Sequence, residues 1–173
     1  IISMAAHLQG MGVSVLDIAG LAQKNGAVYS HVRIAEDPER LNAVRIAAGG
    51  TRLLIGCDMV TAASAEALGK LKPGKTSAIV NANRTMTTDF THDPDLEFPE
   101  QGFHDALMAA TGPGSIQFVD ATQLALTLLG DAIAANMFLV GFAYQNGLLP
   151  VSAEAIDRAL ELNGVAVDFN KQA

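Results

Sequence analysis

The alternation of hydrophobic and polar residues predicts several strands along the chain. Residues 27–35 alternate in two sets, as a half-buried strand does, because successive side chains of a strand point to opposite faces. One set is Val28, Ser30, Val32 and Ile34, and the other is Tyr29, His31 and Arg33. Residues 53–57 form a continuous apolar run, which is typical of a strand buried on both faces of a parallel sheet. Shorter runs predict three further strands, at residues 13–17, 77–81 and 115–120.

Helices are predicted between and after the strands. Good helix formers occupy residues 62–71 and 101–110, and each run is followed by a turn that contains proline and glycine. Residues 4–10 are also compatible with a short helix. Residues 124–145 are apolar on almost every side, so we expect one long and largely buried helix there. The last helix should begin at Ser152, bury a stripe of Ile156, Ala159 and Leu160, and end at residues 163–164.

Strands that alternate with helices predict an α/β fold. We expect a three-layer, Rossmann-like arrangement around a mostly parallel sheet, in a single domain that spans residues 1–173. Strands that end at Asp17, Cys57 and Asn81 should bring their carboxyl ends to one edge of that sheet. Open α/β sheets bind their ligands at this edge, so the candidate site is expected there.

Composition narrows the class of partner. The net charge is −7, aromatic residues make up 5% of the chain and tryptophan is absent. The negative charge argues against nucleic-acid binding, which needs a clustered basic face, and the few aromatic residues offer no row of stacking rings. Only 17% of the residues are charged while 50% are hydrophobic, which indicates a surface partly covered by another protein. We expect contacts with other subunits, and a homo-oligomer.

Location and cross-linking are constrained in the same way. The longest apolar run, residues 132–144, is interrupted by Asn136 and is shorter than the roughly 20 residues that cross a bilayer. No secretion signal is recognisable, so we expect a cytoplasmic protein that does not enter a membrane. The single cysteine, Cys57, excludes an internal disulfide and any four-cysteine iron–sulfur site built by this chain alone.

The segment around Lys24 has the most promising chemistry. Lys24 and Gly26 are expected in a turn at a strand end, where a lysine can meet a phosphate and a glycine lets the backbone approach it. The alternative is a corner whose lysine is only solvated. Ser30 lies on the strand that follows. Asn81, at the edge of the sheet, is a candidate hydrogen-bond donor to a ligand, or else the cap of the next turn.

Other polar residues are expected to have structural roles. His31 and Arg33 should make packing or interface contacts, Cys57 should be a small buried residue, and Asn136 should hydrogen-bond to a neighbouring backbone. A group of acidic and histidine residues should form a solvated loop instead of a metal site, because its spacing matches no familiar ligand pattern. This group is Asp89, His92, Asp93, Asp95, Glu97, Glu100 and His104.

Two stretches of the sequence resemble one protein family. Residues 12–35 contain Ala-Gln-Lys, then Asn-Gly, and then Ser-His-Val-Arg-Ile. Residues 129–141 are Leu-Gly-Asp-Ala-Ile-Ala-Ala-Asn-Met-Phe-Leu-Val-Gly, and Glu-Leu-Asn-Gly-Val-Ala-Val follows at 161–167. Together they resemble the gamma-type domain of the thiamine-pyrophosphate-dependent 2-oxoacid:ferredoxin oxidoreductases. The first stretch is most similar to the fused indolepyruvate branch.

The resemblance implies an activity for a larger enzyme. Enzymes of the family decarboxylate a 2-oxoacid on thiamine pyrophosphate, pass electrons through iron–sulfur clusters to ferredoxin, and release an acyl-CoA. Thiamine pyrophosphate, its Mg²⁺ and the clusters are then expected on other domains or subunits. This chain would supply no catalytic residue and no metal ligand, and it would be inactive alone. Its role would be assembly and, as a candidate function, CoA binding through Lys24, Gly26, Ser30 and Asn81.

The sequence departs from the family pattern at its start. In the family this domain begins with a strand and a loop of the type Gly-x-Gly-Gly-x-Gly, whereas residue 1 here falls inside the helix expected after that loop. We therefore expect the first strand and its phosphate-binding loop to be missing. Two alternatives remain, an independent α/β domain that binds CoA or a nucleotide, and a pure dimerisation module. The missing loop disfavours the first of them.

Overall fold

The chain forms two sheets that are surrounded by helices. A computed structural model describes residues 1–19, 27–84 and 98–173. The strands are β1 (Gly12–Ala19), β2 (Val28–Ala35), β3 (Leu53–Gly56), β4 (Ser77–Asn81) and β5 (Ile116–Val119). The helices are α1 (Ile2–Leu8), α2 (Met59–Ala62), α3 (Ala65–Leu68), α4 (Glu100–Thr111), α5 (Ala121–Leu129), α6 (Ala135–Gln145), α7 (Ala153–Asn163) and α8 (Val167–Gln172), with 3-10 turns at Pro38–Arg40 and Ala132–Ala134.

The parallel sheet has the strand order β3-β4-β5 and forms the centre of three layers. Its middle strand is buried on both faces, since Ile79 and Val80 are each 0% exposed. Ile79 packs with α5 and α6 on one face, where Ala125 and Leu139 are also fully buried. Val80 packs on the other face with α2 and α4. The predicted three-layer, Rossmann-like α/β class is confirmed.

The first two strands form a separate antiparallel hairpin. The expectation that the strand ending at Asp17 shares an edge with Cys57 and Asn81 is therefore wrong. Only residues 20–27 join β1 to β2, whereas two parallel neighbours need a crossover of about a dozen residues or more. The hairpin packs through Val13 and Ile34 against α1, which in turn lies on α7.

The helix predicted at residues 62–71 is broken near its start. Residues 62–71 were expected to be continuous, but α2 ends at Ala62 and α3 begins at Ala65. Ser64 causes the break, because its backbone is extended and its hydroxyl accepts a hydrogen bond from the Ala67 N–H at 3.3 Å. This is the geometry of an N-cap, which starts a new helix.

The long helix expected at residues 124–145 is also interrupted. Helix α5 ends at Gly130, whose φ of 77° lies in the left-handed region. The Asp131 carboxylate then accepts a hydrogen bond from the Ile133 N–H at 2.9 Å and starts the 3-10 turn that leads into α6. The segment is not buried all round, since Leu128 is 64% exposed. Asn136, expected to tie this helix to a neighbouring backbone, is exposed at the start of α6.

Several local predictions are confirmed. Ser152 caps α7 by accepting a hydrogen bond from the Ala155 N–H, and Gly164 ends that helix in a left-handed conformation. Ala159 and Leu160 are buried along its inner stripe, and Ile156 packs beside them as a partly buried residue. Helix α8 was not predicted. In the part of the chain that the structure describes, no helix has the length and apolar character to cross a membrane.

Candidate functional site

Asn81 holds together the carboxyl edge of the parallel sheet. The side chain is 4% exposed and lies at the end of β4, as the sequence predicted. Its amide nitrogen donates to the Cys57 backbone oxygen at 3.1 Å and to the Thr122 hydroxyl at 2.8 Å. Its oxygen accepts from the Asn83 N–H at 3.3 Å. Both N–H donors of the amide are engaged, so Asn81 links the residues that follow β3 and β4 to the start of α5.

Thr122 also lies at this edge and was not predicted to do so. The segment Asp120-Ala-Thr122 follows β5 directly, and Asp120 caps α5 by accepting from the Gln123 N–H at 2.9 Å. The sequence did contain a sign of this contact. Thr122 is a polar residue at the second position of a helix that begins at the same sheet edge as Asn81. The pairing itself, which spans 41 residues of sequence, could only come from the structure.

Cys57 is exposed, so the prediction of a small buried residue is wrong. It is the first residue beyond β3, and there the chain turns away from the apolar interior. Partial desolvation of the sulfur by the surrounding chain, followed by the negative charge of Asp58, raises the pKa of the thiol. A raised pKa leaves little thiolate at neutral pH, and the thiolate is the nucleophilic form. The residue is therefore a poor candidate for nucleophilic catalysis.

Ser30 and Asn81 lie in different sheets. The Ser30 hydroxyl donates to the Asp17 carboxylate at 2.6 Å, directly across the hairpin, where the two residues are register partners. In the described residues no hydrogen bond joins Ser30 to Asn81. Lys24 and Gly26 lie outside the described residues, so their expected contact with a phosphate stays a prediction.

His31 and Arg33 attach a loop to the hairpin. His31 is 6% exposed, and its Nδ1 accepts a hydrogen bond from the Ile46 N–H at 2.9 Å. Burial, followed by the positive charges of Lys70 and Arg45, lowers the pKa of His31. Arg33 donates to the Ala43 backbone oxygen at 2.6 Å. The expected packing role is confirmed for both residues.

The group expected to be a solvated acidic loop falls mostly outside the described residues. Glu100 and His104 lie in α4, so the expectation of a loop is wrong for these two. Glu100 forms an ion pair with Arg84 at 2.6 Å. His104 stacks on Phe118, with ring centroids 3.8 Å apart, and borders a cavity of about 500 Å³ that Phe98 also lines. Among the described residues, no group of three histidine, cysteine or acidic side chains could hold a metal ion.

The family model of the pyruvate ferredoxin/flavodoxin oxidoreductases matches residues 1–173, which is the whole chain. The chain belongs to this family. Its recognition as a gamma-type domain of a 2-oxoacid:ferredoxin oxidoreductase is thereby confirmed, and the chain is a component of an oxidoreductase of this kind.

Two known proteins show how this oxidoreductase component relates to others. The indolepyruvate oxidoreductase subunit IorB of Archaeoglobus fulgidus is 27% identical over 177 aligned positions, which cover 100% of this chain and 82% of that subunit. A crystal structure of the pyruvate oxidoreductase subunit PORC of Thermotoga maritima covers 99% of this chain and 80% of its own, with a TM-score of 0.59. The sequence identity to PORC is 20%, so the likeness supports the fold.

Proposed function

We propose that the chain is the gamma-type component of an oxidoreductase that converts an aromatic 2-oxoacid, such as indolepyruvate, to an acyl-CoA and passes the electrons to ferredoxin. The alignment of the complete chain with a subunit named for indolepyruvate is the observation that supports this substrate class. The second similar protein, PORC, is a pyruvate oxidoreductase subunit, which makes pyruvate the alternative substrate to test.

The described residues do not fit the cofactors of such a reaction. An iron–sulfur cluster needs several thiolates, whereas Cys57 is the single cysteine of the chain and its pKa is raised. The described residues also offer no set of carboxylates for Mg²⁺. In our proposal, thiamine pyrophosphate, Mg²⁺ and the clusters are therefore bound by other domains or subunits, and no chemical step is assigned to this chain.

Assembly is the main role that we propose for this component. Asn81 joins the residues that follow two strands to α5 at one sheet edge, while His31 and Arg33 hold the loop at residues 41–50 against the hairpin. These hydrogen bonds within the chain fix the shape of the surface around the sheet edge and the hairpin, and they involve no catalytic group. A preorganised surface loses less conformational entropy when another subunit docks.

The substrate class can be tested with the complete enzyme, purified with all of its domains and subunits. Indolepyruvate and pyruvate would be compared by their CoA-dependent reduction of a one-electron acceptor. We expect the higher kcat/KM for indolepyruvate and no turnover by the isolated chain. The absence of any 2-oxoacid-dependent reduction by the complete enzyme would refute the proposal, and a preference for pyruvate would refute its substrate class.

CoA binding is the second part of the proposal. Lys24 would act as a charge anchor for the phosphate-bearing end of CoA, with Gly26 and Ser30 as the other candidate contacts. Asn81 drops out of this set, because both N–H donors of its amide are engaged within the chain. A partly exposed lysine–phosphate contact contributes on the order of 1 kcal/mol. The substitution Lys24→Ala in the complete enzyme should raise the KM for CoA several-fold and leave the rate of decarboxylation nearly unchanged. A KM for CoA equal to that of the wild type would remove Lys24 from the proposal.

A further inference from the structure

Three exposed cations lie on neighbouring backbone segments at the amino edge of the parallel sheet. We call Arg52, Lys72 and Lys75 the basic rim. Arg52 comes directly before β3, and the two lysines lie in the turn before β4, which is the neighbouring strand. The Lys75 Nζ donates to the Gly49 backbone oxygen at 3.1 Å. A Cβ placed on Gly49 would lie 3.6 Å from the Lys72 Cβ, so both lysines border the same short segment of backbone.

The basic rim is built on a rigid turn. The side chain of Thr76 is 1% exposed. Its hydroxyl accepts a hydrogen bond from the Lys72 N–H at 3.0 Å and donates one to the Thr51 backbone oxygen at 2.7 Å. The Ser77 N–H donates to the Arg52 backbone oxygen at 2.8 Å, and the Gly74 N–H donates to the Thr111 oxygen at 3.1 Å. The backbones that carry the three cations are therefore fixed relative to one another.

The cations of the basic rim have no acidic partner within the described residues. Other cations in this part of the chain do form ion pairs: Arg45 and Lys70 with Glu66, Arg84 with Glu100, and Arg158 and Lys171 with Glu161. Glu66 is already engaged by two cations, Arg45 and Lys70. The chain as a whole carries a net charge of −7, so this edge is positive on a negative molecule.

The geometry of the basic rim suits a broad acidic surface better than a small anion. A phosphate site usually offers free backbone N–H groups. Here the N–H groups of Gly49, Gly50 and Thr51 already donate to backbone oxygens of Gly69, Ala47 and Lys70. Two cavities lined by described residues lie away from the basic rim, one beside His104 and one between α6, α7 and α8.

We propose that the basic rim is an interaction surface for an acidic face of another subunit or domain of the same oxidoreductase. This inference rests on the proposed function, which requires such neighbours. The overall negative charge of this chain repels an acidic partner, and the basic rim reverses that repulsion locally. Charge complementarity of this kind selects the orientation in which two subunits meet and makes their association sensitive to salt.

Zero-length cross-linking tests the contact directly in the complete enzyme. A carbodiimide joins a lysine amine only to a carboxylate that touches it, and mass spectrometry then locates the linked pair. We expect Lys72 or Lys75 to be joined to an aspartate or glutamate of another subunit or domain. Links confined to residues of this chain, or links to a second copy of it, would overturn the proposal.

Charge reversal gives the matching functional measurement. The triple variant Arg52→Glu, Lys72→Glu and Lys75→Glu should weaken retention of this component in the complex by about tenfold at low salt, as expected for three exposed ion pairs lost together. The control is Arg40→Glu, an exposed cation of the first 3-10 turn that forms no ion pair among the described residues. The charge-preserving pair Lys72→Arg and Lys75→Arg should behave as wild type.

The outcomes separate this inference from the proposed function. If the wild-type complex assembles and oxidises a 2-oxoacid, but the triple variant shows the same retention and salt dependence, the inference fails alone. If assembly is unchanged while the KM for CoA or ferredoxin rises, the basic rim binds that molecule instead, and the inference again fails. If the wild-type chain neither joins other subunits nor supports 2-oxoacid oxidation, the proposed function itself fails.

Discussion

His31 shows how one buried side chain can make this fold sensitive to acid. Its pKa is lowered by burial and by the charges of Lys70 and Arg45, with Glu66 acting in the opposite direction. The unfolded chain, in which the pKa is about 6.5, then binds a proton more readily than the folded chain. We expect the contribution of His31 to the free energy of unfolding to be constant above that pH, to fall as the pH drops below it, and to level off below the folded pKa.

Unfolding by urea between pH 5 and pH 8 measures this effect. The substitution His31→Gln removes the titrating group and keeps an oxygen that can accept from the Ile46 N–H. The variant should lose the part of the pH dependence that lies just below the ordinary histidine pKa. Identical slopes for variant and wild type would show that His31 does not control stability in this range.

Asn81 supports a second prediction about a single residue. Asn81→Ala leaves the Cys57 oxygen and the Thr122 hydroxyl without their donor, at a site that is 4% exposed. Losing buried hydrogen bonds of this kind costs roughly 1–3 kcal/mol of unfolding free energy. Asn136→Ala is the matched control, because Asn136 is exposed and should change stability by less than about 0.5 kcal/mol. Equal urea midpoints for the two variants would contradict the role of Asn81.

At the scale of single residues, the sequence predicted the caps of helices better than it predicted contacts between distant side chains. Ser152 and Gly164 act through neighbours within a few residues, so local rules located both. Cys57 was misjudged because it follows an apolar run yet lies just beyond the strand. The environment of Asn81 depends on Thr122, 41 residues away, and no single-sequence rule connects such a pair.

The break between α5 and α6 is the main difference at the scale of elements. An apolar pattern alone favoured one helix, but Gly130 in the left-handed region and the Asp131 cap divide it. The strands were located well, since their runs of β-branched and apolar residues are distinct. Their assignment to two sheets was not predicted, because periodicity describes burial and leaves the pairing partner open.

Gly130 and Gly102 provide a matched test of that break. A Cβ at either position would meet no atom within 4 Å, so crowding is absent in both cases. Gly130→Ala places a side chain at a φ of 77° and should destabilise the fold by about 1–2 kcal/mol. Gly102→Ala lies inside α4 and should stabilise it by about 0.5–1 kcal/mol. Thermal unfolding measures both, and destabilisation by the second substitution would contradict the argument.

At the scale of the whole molecule, self-association stays a prediction. Helix α5 carries no charged residue, and its Leu124, Leu126 and Leu128 are 39%, 45% and 64% exposed while Ala125 is fully buried. Large apolar side chains on a surface favour contact with another protein. We expect the isolated chain to associate at tens of micromolar, a range that reveals weak contacts. The double variant Leu124→Gln and Leu128→Gln should reduce this association in sedimentation experiments.

The control for self-association is Leu162→Gln, which alters a leucine of α7 that is 51% exposed. A wild-type chain that remains strictly monomeric would contradict the prediction, and equal effects of both variants would show that α5 is not the contact.

The fold class and the family were predictable from the chain, because strand–helix alternation and local motifs carry them. The surface that meets a partner was not, since it depends on how distant segments lie together.

The central position of β4 has a consequence for how the molecule opens. Its residues 78–80 are at most 1% exposed and have a hydrogen-bonded strand on either side, so their amide protons should exchange with deuterium only when the entire fold is lost. The β1–β2 hairpin lies outside that sheet and rests mainly on α1, with a Tyr29–Ser64 hydrogen bond of 2.9 Å as a further attachment. The amide protons of the hairpin should exchange earlier and together. The protein would then contain two cooperative units, the parallel sheet, which exchanges slowly, and the hairpin, which exchanges faster.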